Sequence, residues 1–110
     1  MYEYKAHCDR VVDGDTIYAT VDVGFYLSTR QSFRLYRINT PETRTRDLEE
    51  KAKGLNAKLF LKELIEDKDI TIRTEKAGKF GRFLVEIEYE GKNVNDLLVK
   101  EGHAVYKDYD

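Results

Sequence analysis

Alternation between apolar and polar side chains over the first forty residues most restricts how this chain can fold. The alternation has a period of two, which is typical of β-strands with one buried face. It runs through residues 2–9 and again through residues 17–23. Asp13-Gly14 between the two segments is a tight-turn signal, so the chain is predicted to begin with an antiparallel pair of strands.

The same period returns in three later segments. After a turn predicted over residues 24–29, a third strand is predicted from Gln31 to Ile38. Pro41 ends it, because proline donates no amide hydrogen to a sheet. Residues 70–73 and 83–89 alternate again and predict a fourth and a fifth strand.

A helical period interrupts the strands between Arg46 and Asp67. Apolar residues recur there every three or four positions, which predicts an amphipathic helix. A shorter helix is predicted over residues 94–98, before the C-cap glycine Gly102. Five strands and two helices indicate an α+β fold, a small, partly closed five-stranded barrel, in one domain over residues 1–110. The predicted apolar stripe of the long helix is Leu48, Ala52, Leu55 and Leu59, widened by Leu61, Leu64 and Ile65.

The net charge of −2 argues against a protein that coats nucleic acid without specificity. Locally the balance reverses, because residues 28–46 carry five arginines and one acid, Glu42. A basic face on an acidic protein suits the binding of a polyanion at one site.

No apolar run is long enough to span a membrane, so no membrane partner is expected.

Cys8 is the single cysteine, so no internal disulfide forms, and its apolar register predicts a buried, inert thiol. Residues 1–5 lack the pattern of a signal peptide, so secretion would require one that had been removed.

Three short motifs carry the chemistry of the chain. Asp13-Gly14-Asp15-Thr16 and Asn39-Thr40-Pro41-Glu42 supply the hard oxygen atoms that calcium prefers. Lys79-Phe80-Gly81-Arg82 supplies Arg82, and Arg34 is a second candidate arginine. One guanidinium group can donate hydrogen bonds to two phosphate oxygens at once. Taken singly, the motifs are a hairpin turn, a loop before a helix and solvated arginines. Their coincidence in one chain favours phosphodiester hydrolysis.

The chain resembles a staphylococcal-nuclease-like (thermonuclease) domain from about Tyr4 to Tyr106. The family motifs are an aliphatic pair before Asp-Gly-Asp-Thr, a strand arginine before Asp-Thr-Pro-Glu, and Asp-Lys-Tyr-Gly-Arg. The matching segments follow here in the same order and at compatible spacing: Val11-Val12-Asp13-Gly14-Asp15-Thr16, then Arg34 with Asn39-Thr40-Pro41-Glu42, then Gly78-Lys79-Phe80-Gly81-Arg82. The resemblance implies an OB-fold with calcium-dependent endonuclease activity on DNA and RNA that leaves 3′-phosphate ends.

The resemblance also implies a role for each matching residue. Asp15, Asn39 and the carbonyl oxygen of Thr40 would hold one calcium ion, and Asp13 would support these ligands without touching the ion. Glu42 would orient or deprotonate the attacking water. Arg34 and Arg82 would clamp the phosphate, and the residues expected to contact the substrate are Lys79, Phe80 and Tyr106.

Three departures from the family pattern modify these expectations. Asn39 replaces a second aspartate ligand, which removes one negative charge and predicts weak calcium binding. Phe80 replaces a tyrosine and so lacks a hydroxyl group that could touch phosphate. The sequence ends at Asp110, before the last helix that the family usually has.

The leading interpretation is therefore a monomeric nuclease that acts on single-stranded DNA and RNA. The alternative is a catalytically weak or inactive module that binds nucleic acid or a protein partner. The presence of Arg34, Glu42 and Arg82 favours the enzyme, because a pure binder needs no glutamate at a phosphate. A general single-strand-binding OB protein is disfavoured by the acidic net charge.

Overall fold

The computed structural model describes residues 2–74 and 83–107. Strands predominate in these residues, and two helices accompany them. Neither described helix has the length and apolarity needed to cross a lipid bilayer. The elements in chain order are β1 (Tyr2–Asp13), β2 (Thr16–Gly24), β3 (Leu27–Leu35), β4 (Ile38–Asn39), α1 (Leu48–Ile65), β5 (Asp69–Thr74), β6 (Phe83–Tyr89), β7 (Lys92–Asn93), α2 (Val94–Lys100) and β8 (Val105–Tyr106).

The main sheet has the strand order β3-β2-β1-β5-β6-β7, and a further pairing between β3 and β6 joins it into a ring. This closing pair is parallel and places Phe33 opposite Phe83 and Leu35 opposite Val85. The other pairings in the main sheet are antiparallel. The predicted α+β fold of the OB type is confirmed, and β4, β7 and β8 are short strands that the sequence pattern did not indicate.

The hydrophobic core lies inside this ring of strands. It takes the inward residues of each long strand, among them Ile17, Leu35, Ile72 and Ile87, all of which are almost completely buried. Cys8 belongs to the same core, and burial raises the pKa of its thiol to about 12. The predicted inert cysteine is thus confirmed, because a thiol with that pKa stays protonated at neutral pH.

Helix α1 begins at Leu48 and ends at Ile65, inside the predicted bounds. Asp47 caps its first turn, because one carboxylate oxygen accepts from the amides of Glu49 (3.0 Å) and Glu50 (3.3 Å). The first part of the predicted apolar stripe is wrong, since Leu48, Ala52, Leu55 and Leu59 are exposed. The buried face consists of Gly54, Ala57, Leu61 and Ile65.

The turn between β2 and β3 contains Phe25 and Tyr26 alone, so the predicted turn over residues 24–29 is too long and β3 starts earlier than expected. Both residues have positive φ, 56° and 62°, a conformation that residues with side chains rarely adopt. Their rings lie in solvent at the tip of the hairpin.

Helix α2 is fixed by a buried asparagine. Asn95 donates to the carbonyl oxygens of Tyr36 (2.9 Å) and Val85 (3.1 Å) and accepts from the amide of Ile87 (3.1 Å). The helix ends before Gly102, whose φ of 81° agrees with the predicted C-cap.

Candidate active site

Asp15 and Arg34 meet at one end of the β1–β2–β3 sheet. Asp15 lies in the turn after β1, and Arg34 stands at the end of β3, where it pairs with Thr16. Arg34 Nη2 lies 3.3 Å from Asp15 Oδ2. Thr16 Oγ1 donates to the other carboxylate oxygen at 3.1 Å, and the backbone oxygen of Asp15 accepts from the amide of Leu35 at 2.8 Å. The turn and the strand end are therefore tied together through both side chain and backbone.

Asn39 at the end of β4 and Thr40 just after it reach the same pair of side chains. Arg34 Nη2 donates to Asn39 Oδ1 at 3.2 Å, so Asp15 and Asn39 present oxygen atoms to the same nitrogen. The amide of Thr40 donates to Asp15 Oδ2 at 3.4 Å, and Thr40 is buried. Asp15, Arg34 and the pair Asn39-Thr40, which are separate in sequence, therefore converge on one point.

The other terminal nitrogen of Arg34 holds the loop that carries Asn39. Arg34 Nη1 donates to the carbonyl oxygens of Leu35 (3.0 Å) and Ile38 (3.3 Å). The guanidinium group thus joins β3, the start of the loop and Asp15. Sequence patterns predict an arginine for the substrate and give no indication of this internal role.

Asp13 accepts a hydrogen bond from Thr43, a residue for which no motif predicts a role. Thr43 Oγ1 donates to Asp13 Oδ1 at 2.8 Å, which connects the β1–β2 turn with the loop just after Glu42. The position of Thr43 directly after Glu42 is the sequence feature that could have indicated its place near the site.

Helix α1 lies directly against both loops of the site. A Cβ atom added at Gly54 would lie 2.7 Å from the carbonyl oxygens of both Pro41 and Glu42, closer than side chains tolerate. One added at Gly14 would lie 2.8 Å from Cβ of Ala57 and 3.1 Å from Cγ2 of Thr40. The helix can approach this closely only because these positions are small. Gly54 weakens a helix intrinsically, so its value here lies in the contact with the backbone of Glu42.

Asp15, Asn39 and the Thr40 carbonyl are hard oxygen donors, the type that calcium prefers. Asp15 Oδ2 and Asn39 Oδ1 share the positive charge of Arg34 Nη2, so an ion held by both oxygens would lie beside a guanidinium group. Across residues 2–74 and 83–107, no three His, Cys, Asp or Glu side chains are grouped to hold a metal ion. The donors therefore fit a calcium ion in type, with one carboxylate, an amide oxygen and a backbone carbonyl.

Lys79, Phe80 and Arg82 lie outside the described residues, so their expected contacts with phosphate and substrate stay predictions. The side chain of Glu42 is exposed to solvent, and its role stays a prediction.

Tyr106 lies in β8, which pairs with β4 so that Tyr106 faces Ile38 and Val105 faces Asn39. Its ring is exposed, and its hydroxyl donates to Asp96 Oδ1 at 3.0 Å. That hydrogen bond is the main cause of the raised pKa of Tyr106. An exposed aromatic residue thus lies opposite Ile38, the residue before Asn39 in β4.

Arg37 is committed to protein contacts beside Tyr106. Its Nη2 donates to Glu86 and, at 3.3 Å, to Asp96. The hydrogen bond to Glu86 is the largest cause of the raised pKa of Arg37. The basic character that the sequence shows over residues 28–46 is therefore partly neutralised within the fold.

Comparison with known proteins agrees with this architecture. The family described as staphylococcal nuclease homologue matches residues 32–110. The SPbeta prophage-derived endonuclease YokF of Bacillus subtilis (strain 168) is 34% identical over 99 residues, covering 87% of this chain and 32% of that protein. Endonuclease YncB of the same organism is 31% identical over 99 residues, covering 87% of this chain and 44% of that protein.

An uncharacterized protein of Bacillus anthracis is 30% identical over 98 residues, covering 86% of this chain and 44% of that protein. The chain thus spans less than half the length of these relatives. The motifs, the closed strand arrangement and the match over most of the sequence lead to one conclusion: this chain belongs to the staphylococcal nuclease homologue family.

Proposed function

We propose that this protein is a calcium-dependent endonuclease that hydrolyses phosphodiester bonds of single-stranded DNA and RNA and leaves 3′-phosphate ends. The observation that carries the proposal is the convergence of Asp15, Asn39 and Thr40 with Arg34 at one end of the sheet. The endonuclease names of the relatives YokF and YncB support the same reaction class.

Asp15, Asn39 and the carbonyl oxygen of Thr40 would hold the calcium ion. A bound calcium ion supplies a positive charge that neutralises a phosphate oxygen and polarises water. Asp13, held by Thr43, adds a second negative charge to the same turn and stabilises a cation there without contacting it.

Glu42 acts on the attacking water. Its carboxylate is exposed, so it can accept a proton from a water molecule that faces the phosphate, a contribution of roughly 10²–10⁴-fold in rate. The backbone of Glu42 lies against Gly54, which fixes the origin of the side chain. Arg34 and Arg82 stabilise the negative charge that grows on the phosphate oxygens during attack.

The charge count predicts weak cation binding. Asn39 is neutral, and Asp15 already faces the guanidinium of Arg34. Calcium affinity rises with the number of charged ligands, so we expect a dissociation constant on the order of 10⁻⁴–10⁻³ M.

A second candidate is a module that binds nucleic acid or a protein partner with little or no catalysis. The lack of a three-residue acidic or histidine group among the described residues favours it. Glu42 argues for the enzyme, because an exposed carboxylate beside a phosphate site weakens simple binding of a polyanion.

Digestion of single-stranded DNA with millimolar calcium, and again with a chelator, tests the proposal. We expect cleavage in calcium alone, and products that a polymerase extends only after phosphatase treatment. Asp15→Ala and Glu42→Gln should abolish or strongly reduce cleavage. Arg73→Gln is the matched control, because Arg73 pairs with Glu3 and Glu88 on β1 and β6, away from the site. DNA that is bound but left intact would favour the binding module.

A further inference from the structure

The outward face of β2 and β3 continues from Arg34 along the sheet. Phe33 and Leu35 are buried, so the alternate residues of β3 lie on the outside of the ring. The cross-strand pairs on this face are Thr16 with Arg34, Tyr18 with Ser32 and Thr20 with Arg30. Each pair is two residues from the next, about 6.6–6.8 Å along the strand, a distance comparable to one extended nucleotide.

Arg30 is held in place at the far end of this face. Its Cζ lies 4.8 Å from the centre of the Tyr18 ring, and its Nε donates to Asp9 Oδ2 at 3.2 Å. Thr20 Oγ1 donates to the same oxygen at 2.7 Å. The two terminal nitrogens of Arg30 have no hydrogen-bond partner within residues 2–74 and 83–107. An oriented guanidinium group with two open donors is suited to a phosphate, because little side-chain freedom remains to be lost.

A β-bulge brings a second arginine beside Tyr18. The register of β1 against β2 shifts between Cys8 and Arg10, so that Arg10 pairs with Tyr18. Arg10 is exposed and makes no ion pair with any residue that the structure describes. Bulges of this kind change the direction of a side chain and are common next to active sites.

The other side of the candidate site is unfavourable for a polyanion. A groove next to Asn39 and Thr40 is lined at the start of α1 by three acids, Asp47, Glu49 and Glu50, and by Lys53, which pairs with Glu49. Like charges there oppose a phosphate backbone. The arginine side therefore offers charge complementarity and is continuous with Arg34.

We infer that Tyr18, Arg10 and Arg30, on and beside this face, bind the nucleotides next to the bond cleaved at the candidate site. The ligand is single-stranded nucleic acid, because Tyr18 can stack only with a base that is not already stacked in a duplex. Arg10 and the terminal nitrogens of Arg30 contact the phosphates on either side of that base. The inference rests on the proposed function for the position of the cleaved bond, and the binding itself needs no cation.

Fluorescence anisotropy with a labelled single strand of about eight nucleotides, within the range of an OB fold, tests this face in a chelator. Tyr18→Ala should weaken binding by about 5- to 100-fold, whereas Tyr18→Phe, which keeps the ring, should bind like the wild type. Arg30→Gln should reduce the slope of log affinity against log salt by about 0.7, the value for one phosphate contact on a single strand. Controls are Arg73→Gln, an arginine paired with Glu3 and Glu88 away from this face, and Tyr26→Ala, an exposed tyrosine at the hairpin tip.

Equal affinity and equal salt slope in the wild type, Tyr18→Ala and Arg30→Gln would overturn the inference, as would identical losses in the two controls. Circular dichroism of each variant confirms that the sheet is intact, and Tyr18→Phe and Arg30→Lys cover the case in which a larger change disturbs folding.

The proposed function and this binding face can fail separately. Binding that depends on Tyr18 in a protein that does not cleave DNA would uphold this face and reject hydrolysis, whereas cleavage without that dependence would reject this face alone.

Discussion

Arg34 Nη2 lies 3.3 Å from Asp15 Oδ2, and both side chains are 14% exposed. An arginine that is expected to contact substrate is thus also the internal partner of the expected metal ligand. Because a mostly buried carboxylate is costly without a counter-charge, this pair links the stability of the fold to the chemistry of the site.

Replacement of Arg34 should therefore lower stability as well as turnover. Arg34→Ala leaves Asp15 without its cationic partner, and we expect a loss of about 3 kcal/mol in the free energy of unfolding, measured by urea denaturation. Arg73→Ala, which breaks exposed ion pairs, should cost clearly less. Equal losses in the two variants would show that the Arg34–Asp15 pair has no special weight.

Arg34→Lys separates the two roles of the guanidinium. A single ammonium group cannot reach the carbonyl oxygens of Leu35 and Ile38 together with Asp15 and Asn39. We expect turnover to fall by roughly 10²-fold or more, with a smaller loss of stability than in Arg34→Ala. Arg82→Ala should reduce turnover similarly. A stability loss large enough to account for the lost activity would make Arg34 a structural residue.

Asn39→Asp should strengthen calcium binding. The side-chain oxygen of residue 39 faces the same nitrogen as Asp15, so a carboxylate there adds a full negative charge next to the expected ion. Titration calorimetry should show a lower dissociation constant, and half-maximal cleavage should need less calcium. Asp15→Ala is the control and should abolish both. Unchanged affinity in Asn39→Asp beside a loss in Asp15→Ala would remove Asn39 from the metal site.

Gly54→Ala should impair activity even though alanine favours helices. The new methyl group would lie 2.7 Å from the carbonyl oxygens of Pro41 and Glu42, so either α1 or the loop must move. We expect an overpacking cost of about 1–3 kcal/mol, partly offset by about 1 kcal/mol of helix propensity, together with a decrease in kcat. Asn56→Ala at an exposed position of the same helix should leave activity intact. Full activity in Gly54→Ala would mean that the position of Glu42 is not set by this contact.

His7 should make stability depend on pH. Its ring nitrogens lie 2.8 Å from Asp69 Oδ1 and 2.9 Å from Asp67 Oδ1, and these hydrogen bonds, that to Asp69 foremost, raise the pKa of His7 from 6.5. Because the folded-state pKa is the higher one, the stabilisation is fully present below about pH 6.5 and is lost as the pH rises through the folded value.

The stability difference between the wild type and His7→Gln should therefore be largest in mildly acidic buffer and vanish at alkaline pH. Thermal denaturation across that range measures it. In an Asp67→Asn/Asp69→Asn background the difference should be small at every pH. A difference that increases toward alkaline pH would contradict the assignment.

Sequence patterns predict the sheet better than the helix. Alternation in β1, β2, β5 and β6 identifies the strands because one face of each is buried in the ring. The stripe of α1 is right at Leu61 and Ile65 and wrong in its first part, where Leu48 and Leu59 are apolar yet exposed. Close contact with the site loops requires glycine and alanine there. Hydrophobic periodicity detects large buried residues and gives little signal where a helix packs through small ones.

The motifs likewise identify which residues gather at the site and miss how they are held. Asp15, Asn39 and Thr40 are brought together, as the motifs predict. The hydrogen bond from Thr43 to Asp13 and the internal contacts of Arg34 depend on loop geometry, which short motifs do not encode.

The packing of α1 through Gly54 and Ala57 has a consequence for partial unfolding. The helix touches the turn around Gly14 and the loop around Glu42, whereas the hydrogen-bonded ladders of the main sheet do not depend on it. Leu61 and Ile65 anchor the C-terminal half of α1 in the core, whereas the half before them buries only Gly54 and Ala57. Segments with few buried apolar contacts open at lower free energy than core strands. Native-state hydrogen exchange should then show the amides of α1 before Leu61 exchanging by a local opening while the strands stay protected. In mild denaturant the site should lose its geometry before the sheet melts.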